Sequence, residues 1–387
     1  MLHVTLSNPL HPEYGQASIP FPIPQKEYDN VINILGALEM GDPVRRDCHV
    51  DSIDTPWPIL KRLADAQINI DELDFLAKRL DGFTLLELTQ YQAMVSKENI
   101  NRMTDLINMT YSCENVTVIS DFTDLDAVGR QHYMNLHHGC VAYNELEKLD
   151  GRQLAIRLII GEYGDITPHG VIYENDFKMN RVYDGLNLPP FPYDKYELEV
   201  GMSSIHDPDK ETTLYLPIPN SQLQRIMVRS GIQSFEEMEL RFLGSSFPVE
   251  VDAALDFEKE SIVNLNEMSR AISNLSDSDR AKLGAVILYA EPDYAFQIRT
   301  LATHLDLFEF VPGVKTPEGY GKYMIQESGR FDYDDNLEDI YDYGKYANRR
   351  MSEVDGQFNI HGYVSYHGHL SLDELMMEDP NQSMEMQ

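Results

Sequence analysis

The chain has 387 residues, with 64 acidic against 31 basic side chains, a net charge of −33 and an apolar fraction of 42%. That length and apolar content suffice for more than one ordinary core, while the carboxylate surplus argues against free nucleic acid or an anionic membrane as partner, since phosphates are repelled. No run of about 18 apolar residues suggests a membrane helix; MLHVTLSNPLHPEYG lacks the make-up of a secretory signal, and Cys48, Cys113 and Cys140 show no pairing pattern, so a cytoplasmic location is expected.

The predicted elements come in one order, and they come twice. LHVTL (2–6) and YELEV (196–200) alternate apolar with polar residues, as an opening strand does. ASIPFPIP and TTLYLPIP follow as partner strands, confined to a sheet edge by their prolines. A helix comes next, with Tyr28, Val31, Ile32 and Leu35 on one face, matched by Leu223, Ile226 and Met227. Asn69 with Glu72, and Asn264 with Glu267, have the spacing of capping boxes. The stripes Leu73, Leu76, Leu80 and Leu265, Met268, Ile272, Leu275 then read as helices. Thr84 with Glu87 and Ser276 with Asp279 start a second helix, and third helices are expected around 99–108 and 294–305. A strand (VTVIS, FEFVP), a short helix and a closing βαβ-like or hairpin stretch complete each set.

The repetition extends to the letters. PFPIPQ at 20–25 returns as YLPIPN at 215–220, and NIDEL at 69–73 as NLNEM at 264–268, both 195 residues later. Leu80, Leu88, Leu106 and Val116 fall on Leu275, Leu283, Leu301 and Val311 at the same offset. After small deletions, GRQHYM (129–134) faces GKYM (321–324) and PHGVIY (168–173) faces IHGYVSY (360–366). The predicted class is α+β, in two tandem repeats whose small sheets flank a helical segment. The first repeat spans 1–184 (α+β to 68, helical 69–115, α+β 116–184). The proline-rich 185–195 links it to the second, 196–375 (α+β 196–263, helical 264–310, α+β 311–375), and 376–387 read as a flexible tail. Charge is not repeated in place: the chain up to Lys195 carries 29 acids against 16 bases, and the remainder 35 against 15.

Catalytic and metal motifs are missing. Asp332, Asp334 and Asn336 begin like a calcium loop, but Leu337 stands where the turn needs glycine and Tyr343 where the bidentate glutamate belongs. GVKTPEGYGK (313–322) lacks the Ser/Thr that follows a phosphate-loop lysine, and reads as a turn with Thr316 capping a helix. His132, His137, His138, Cys140, His361, His367 and His369 show no metal-ligand spacing, and no G-x-S-x-G nucleophile motif occurs. No cofactor, metal or catalytic residue is expected.

The content lies in the acids. FDYDDNLEDIYDY (331–343) holds six carboxylates, Asp332, Asp334, Asp335, Glu338, Asp339 and Asp342, among four aromatic rings and no base. An acidic tail without rings would stay disordered; here Phe331, Tyr333, Leu337, Ile340, Tyr341 and Tyr343 alternate with the charges and are expected to anchor the segment and fix its carboxylates. Glu236, Glu237 and Glu239, then Glu250, Asp252, Asp256, Glu258 and Glu260, form two further clusters. A net −33 equals the phosphate charge of roughly sixteen base pairs. Carboxylates at that density suit a protein groove built for DNA.

DYGKYANRRM (342–351) followed by GQFNIHGYVSY (356–366) resembles the C-terminal signature of the ArdA antirestriction family, with Asp342, Tyr343, Tyr346, Ala347 and Arg349 on the motif and Asn348 as an extra residue. IDELDFLAKRL (70–80) and YGKYMI (320–325) are similar to stretches of its long, two-unit members. The resemblance implies a non-enzymatic DNA mimic, elongated, that occupies the DNA-binding groove of type I restriction–modification enzymes and dimerises through its C-terminal part. A homodimer, or one chain standing in for it, are both open. So is an acidic adaptor or inhibitor acting on another basic partner, such as a different defence nuclease.

Overall fold

The computed structural model describes residues 1–330 and 332–377, leaving out the side chains of Asp335, Leu337 and Asp339. It is α+β, with several small antiparallel sheets and many short helices. Two compact units emerge: Met1–Tyr193 together with Pro219–Gly231, and Asp194–Ile218 together with Ile232 onward.

In the first unit a four-stranded sheet runs Gln16–Phe21, Leu2–Ser7, Cys48–Asp54, Gln67–Ile68, antiparallel throughout. Alternation sends Leu2, Val4 and Leu6 into the core, where Tyr28, Val31 and Leu35 of the helix Tyr28–Ala37 join them. The proline-bearing strand lies at the edge, as its missing donors require. The helices Ile70–Asp81, Leu85–Lys97 and Met103–Met109 continue the same core through Leu73, Leu76, Tyr91 and Leu106. A second sheet orders Thr117–Ile119, Gly170–Tyr173, Asp165–Thr167 and carries the helices Leu125–Leu136 and Gly151–Gly161.

The second unit repeats this design. Its sheets are Met238–Ser245, Leu198–Ser204, Asp207–Leu216 and Phe308–Pro312, Gly362–Tyr366, Gly356–Phe358. Its middle helices are Ile262–Ser273, Asp277–Ala290 and Ala295–Thr303, and its last pair Pro317–Gln326 and Tyr343–Met351. Leu375 and Met376 are buried in a final helix, Leu372–Met377; the rest of the expected tail, 378–387, lies outside the described residues.

The repeat register needs correction. The proline segments do match at 195, since cis bonds precede both Pro22 and Pro217. The first repeat then inserts a three-residue 3₁₀ turn, Gln25–Glu27, which the second lacks. From there the helices correspond 192 residues apart: Tyr28 with Asn220, Ile70 with Ile262, Gly151 with Tyr343. Asn264 is therefore not a cap. Ser261 is, accepting from the Asn264 N–H, while Asn69 caps the helix of the first repeat by accepting from Asp71 and Glu72. Glu72 does not reciprocate, because its carboxylate binds Arg46 and Tyr183. The misreading has a physical cause: on a helix of 3.6 residues per turn, a slip of three leaves an apolar stripe nearly unchanged. Thr84 and Ser276 are caps at the corrected spacing, and Thr316 caps its helix through Gly319.

One helix of the second repeat does not cluster with the rest of it. Asn220–Arg229 belongs to the first unit, where Arg225 grips Asp71 in a fork of 2.9 and 3.0 Å and donates to the Gly41 carbonyl. Arg229 donates to Pro43, Asn69 and the Tyr183 hydroxyl. The 185–193 stretch lies on the same unit, with Phe191 against Phe75 and under Arg79, and Tyr193 donating to Asp81 at 2.5 Å.

Candidate functional site

Three tyrosines hold the acidic segment, whereas Ile340, expected to anchor it, is 75% exposed and does not. Tyr333 and Tyr343 both receive the Gln326 side-chain amide, at 2.7 and 2.9 Å, and Tyr341 packs beside both rings. Tyr343 is buried at the start of the helix Tyr343–Met351, and Asp342 caps that helix by accepting from Lys345 at 2.9 Å. Asp334 caps the short 3₁₀ turn Asp335–Ile340 through Asn336. Asp332, Asp334, Glu338 and Asp342 are exposed. Among the described residues, only Glu338 of these four has a basic partner, Lys322 at 2.8 Å, and that hydrogen bond holds its carboxyl below the usual range. Phe331 and the Asp335, Leu337 and Asp339 side chains lie outside the described residues.

The motif residues share this scaffold. Ala347 is buried, Tyr346 half-buried and Arg349 exposed, 3.8 Å from Glu353. The first repeat keeps the same plan at the corrected spacing, with Asp150 as cap through Gln153, Ala155 buried and Arg157 exposed. Glycines allow the helix pair to touch in each repeat. A methyl on Gly129 would overlap the Gly151 carbonyl, and one on Gly321 the Tyr343 carbonyl.

The strand Met238–Ser245 and the turn before it expose Glu236 and Glu239 and half-bury Glu237, which accepts from the Gln233 N–H. Here the structure adds what the sequence reading passed over. On the far strand of that sheet, Asp207–Leu216, Asp209 and Glu211 are exposed too, and Glu211 reaches across Gly201 of the middle strand to Arg241. Alternation of exposed acids at i, i+2 was the available signal.

The middle cluster needs correction. Glu250 is buried and accepts from His361 at 2.6 Å, so it serves packing, not the surface. Glu260 is buried at the start of the helix Ala295–Thr303, accepting from the Ala295 N–H at 2.7 Å. Asp252 is half-buried under the Ser245 hydroxyl, and burial raises its pKa. Asp256 is paired with Lys259 at 2.6 Å, which lowers its pKa, and Glu258 alone of these five is exposed. Counting letters cannot separate capping carboxylates from displayed ones.

Burial pushes Glu260 up to about 7, with Asp256 adding to the rise and the Ala295 N–H opposing it. The folded protein thus holds a proton that the unfolded chain releases near its ordinary 4.5. The contribution of Glu260 to stability therefore falls as pH rises from about 4.5 to about 7 and is flat beyond. Glu260→Gln is expected to flatten that slope and to stabilise the second unit at pH 8, read by urea unfolding across pH; an unaltered slope would contradict it.

A cleft of about 500 Å³ in the first unit is lined by Asn8, Met40, Asp42, Arg45, Arg46 and Asp47 among others. Its charges are engaged internally, with Arg46 on Glu72 and Asp47 accepting from Gly41 and Asp42. Among the described residues no group of three His, Cys, Asp or Glu is arranged to hold a metal, and no helix is long and apolar enough to cross a membrane. No protein-family model and no curated protein matches the chain.

Proposed function

We propose that this chain is a non-enzymatic DNA mimic, which occupies the DNA-binding groove of a type I restriction–modification enzyme as its resemblance to the ArdA family implies. The observation that carries this reading is the anchored acidic turn, where exposed carboxylates project from capped backbone and hydrogen-bonded tyrosines. A groove made for phosphates gains most from anions already fixed in place, since little side-chain ordering then remains on binding. Glu236, Glu239 and Glu258 extend the same character over the second unit. The surplus of −33 also steers association with a basic surface from a distance, and salt weakens that steering.

The test neutralises exposed acids that cap nothing. Asp332→Asn, Glu338→Gln, Glu236→Gln, Glu239→Gln and Glu258→Gln, combined, are expected to weaken binding to a type I methyltransferase core about a hundredfold or more, with unfolding unchanged. Single changes should each cost little. Unchanged affinity of the combined variant, or tight binding only to another basic partner, would overturn the reading.

A further inference from the structure

The two repeats differ at one sheet edge. In the first, the strand Cys48–Asp54 is paired on both sides, with Leu2–Ser7 and with the short strand Gln67–Ile68. In the second, Met238–Ser245 holds the same place beside Leu198–Ser204, and among the described residues no strand pairs its other side. Lys259 and Glu260, just before the helix Ile262–Ser273, stand where Gln67 and Ile68 precede the helix Ile70–Asp81. Ile68 is a core residue of its strand. Glu260 instead turns its carboxylate to the Ala295 N–H, and the backbone there forms no strand.

The uncovered strand has eight residues and none is buried, although the Phe257 ring rests 5.4 Å from that of Phe242. A bare edge presents unpaired N–H and C=O groups at every second residue, a template for one more strand. A bulge between Phe242 and Gly244 leaves Met238–Phe242 as the regular stretch. The opposite outer strand of this sheet, Asp207–Leu216, is protected by Pro208 and by the exposed charges Asp209, Lys210 and Glu211.

Charge and alternation choose the occupant. Glu239 and Arg241 lie on one face of the strand, and Met238, Leu240 and Phe242 on the other. The nearby bases are already held, Arg241 by Glu211 at 2.6 and 2.8 Å and Lys259 by Asp256 at 2.6 Å. That leaves the exposed Glu236, Glu239 and Glu258 to meet a partner. A second copy of the same edge would set these acids against their own equivalents and is repelled. A strand that alternates Lys or Arg with aliphatic residues satisfies both faces.

We infer that Met238–Phe242 is a docking edge for an extended, basic segment of a protein partner, which adds a strand to the sheet in the place that Gln67–Ile68 takes in the first repeat. The backbone of that segment completes the ladder, its basic side chains face Glu239, and its aliphatic ones lie beside Leu240 and Phe242. The contact does not rest on groove occupancy: its test involves no methyltransferase, and either reading fails without the other.

The probe is a synthetic peptide of alternating Lys and Val, acetylated and amidated at its ends, titrated into the full chain. It is expected to bind and to slow amide hydrogen exchange within 238–242. Methylating its backbone nitrogens should weaken binding about tenfold or more, since charge is unchanged and ladder hydrogen bonds are lost. Glu239→Lys should also weaken it about tenfold. Glu98→Lys makes the same change of net charge at an exposed place in the first unit, and should leave the affinity within about twofold. No binding, binding that survives backbone methylation, or protection confined to residues outside 238–242 overturns the proposal. So does a loss on Glu239→Lys no greater than on Glu98→Lys.

Discussion

Asp71→Ala is expected to destabilise the first unit by about 3–5 kcal/mol, because it strands a buried guanidinium. Arg225 and Asp71 are each more than nine-tenths buried, and the fork between them is bidentate. Tyr28 donates to the same carboxylate and Arg229 lies 3.8 Å from it, so one truncation unpairs several groups. The pair need not be stabilising against an apolar alternative. Asp71→Leu with Arg225→Met should recover most of the loss, since the desolvation of two charges is then avoided. Urea unfolding followed on the transition of the first unit reads both. A single-variant loss below about 0.5 kcal/mol would show that water reaches the pair.

Gly321→Ala should cost about 1–3 kcal/mol or more in the second unit, as its methyl meets backbone that no rotamer change can clear. Gly129→Ala should act alike in the first unit, where the obstacle is Gly151. Gly36→Ala is the control. It sits in the helix Tyr28–Ala37 with nothing within 4 Å of the new methyl, and should stabilise by about 0.5–1 kcal/mol. The Gly321 change also displaces Tyr343, and with it the helix cap Asp342, so partner binding should fall along with stability. Equal midpoints for Gly321→Ala and Gly36→Ala would remove the close crossing from the account.

The fold was legible where period and punctuation are strong. Leu2, Val4 and Leu6 announced a strand, the prolines an edge, and Thr84 and Ser276 helix starts. The repeat was legible too, but its offset was not, because an amphipathic helix hides a three-residue slip. The placement of Asn220–Arg229 in the first unit was invisible. Its signal is two arginines, Arg225 and Arg229, one turn apart in an acidic chain, facing acids that open the helix Ile70–Asp81 and look solvated on paper. Of the candidate site, the ring-anchored acids could be read directly. Glu250 and Glu260 could not, since a carboxylate that caps or pairs inside a fold is spelled like one that faces water.

The most direct measurement is competition for an isolated type I methyltransferase core between this chain and a duplex carrying its recognition site, repeated across a salt series. The chain is expected to displace the duplex, with an affinity that falls steeply as salt rises. A ternary complex in which duplex and chain are bound together, or an affinity indifferent to salt, would contradict mimicry.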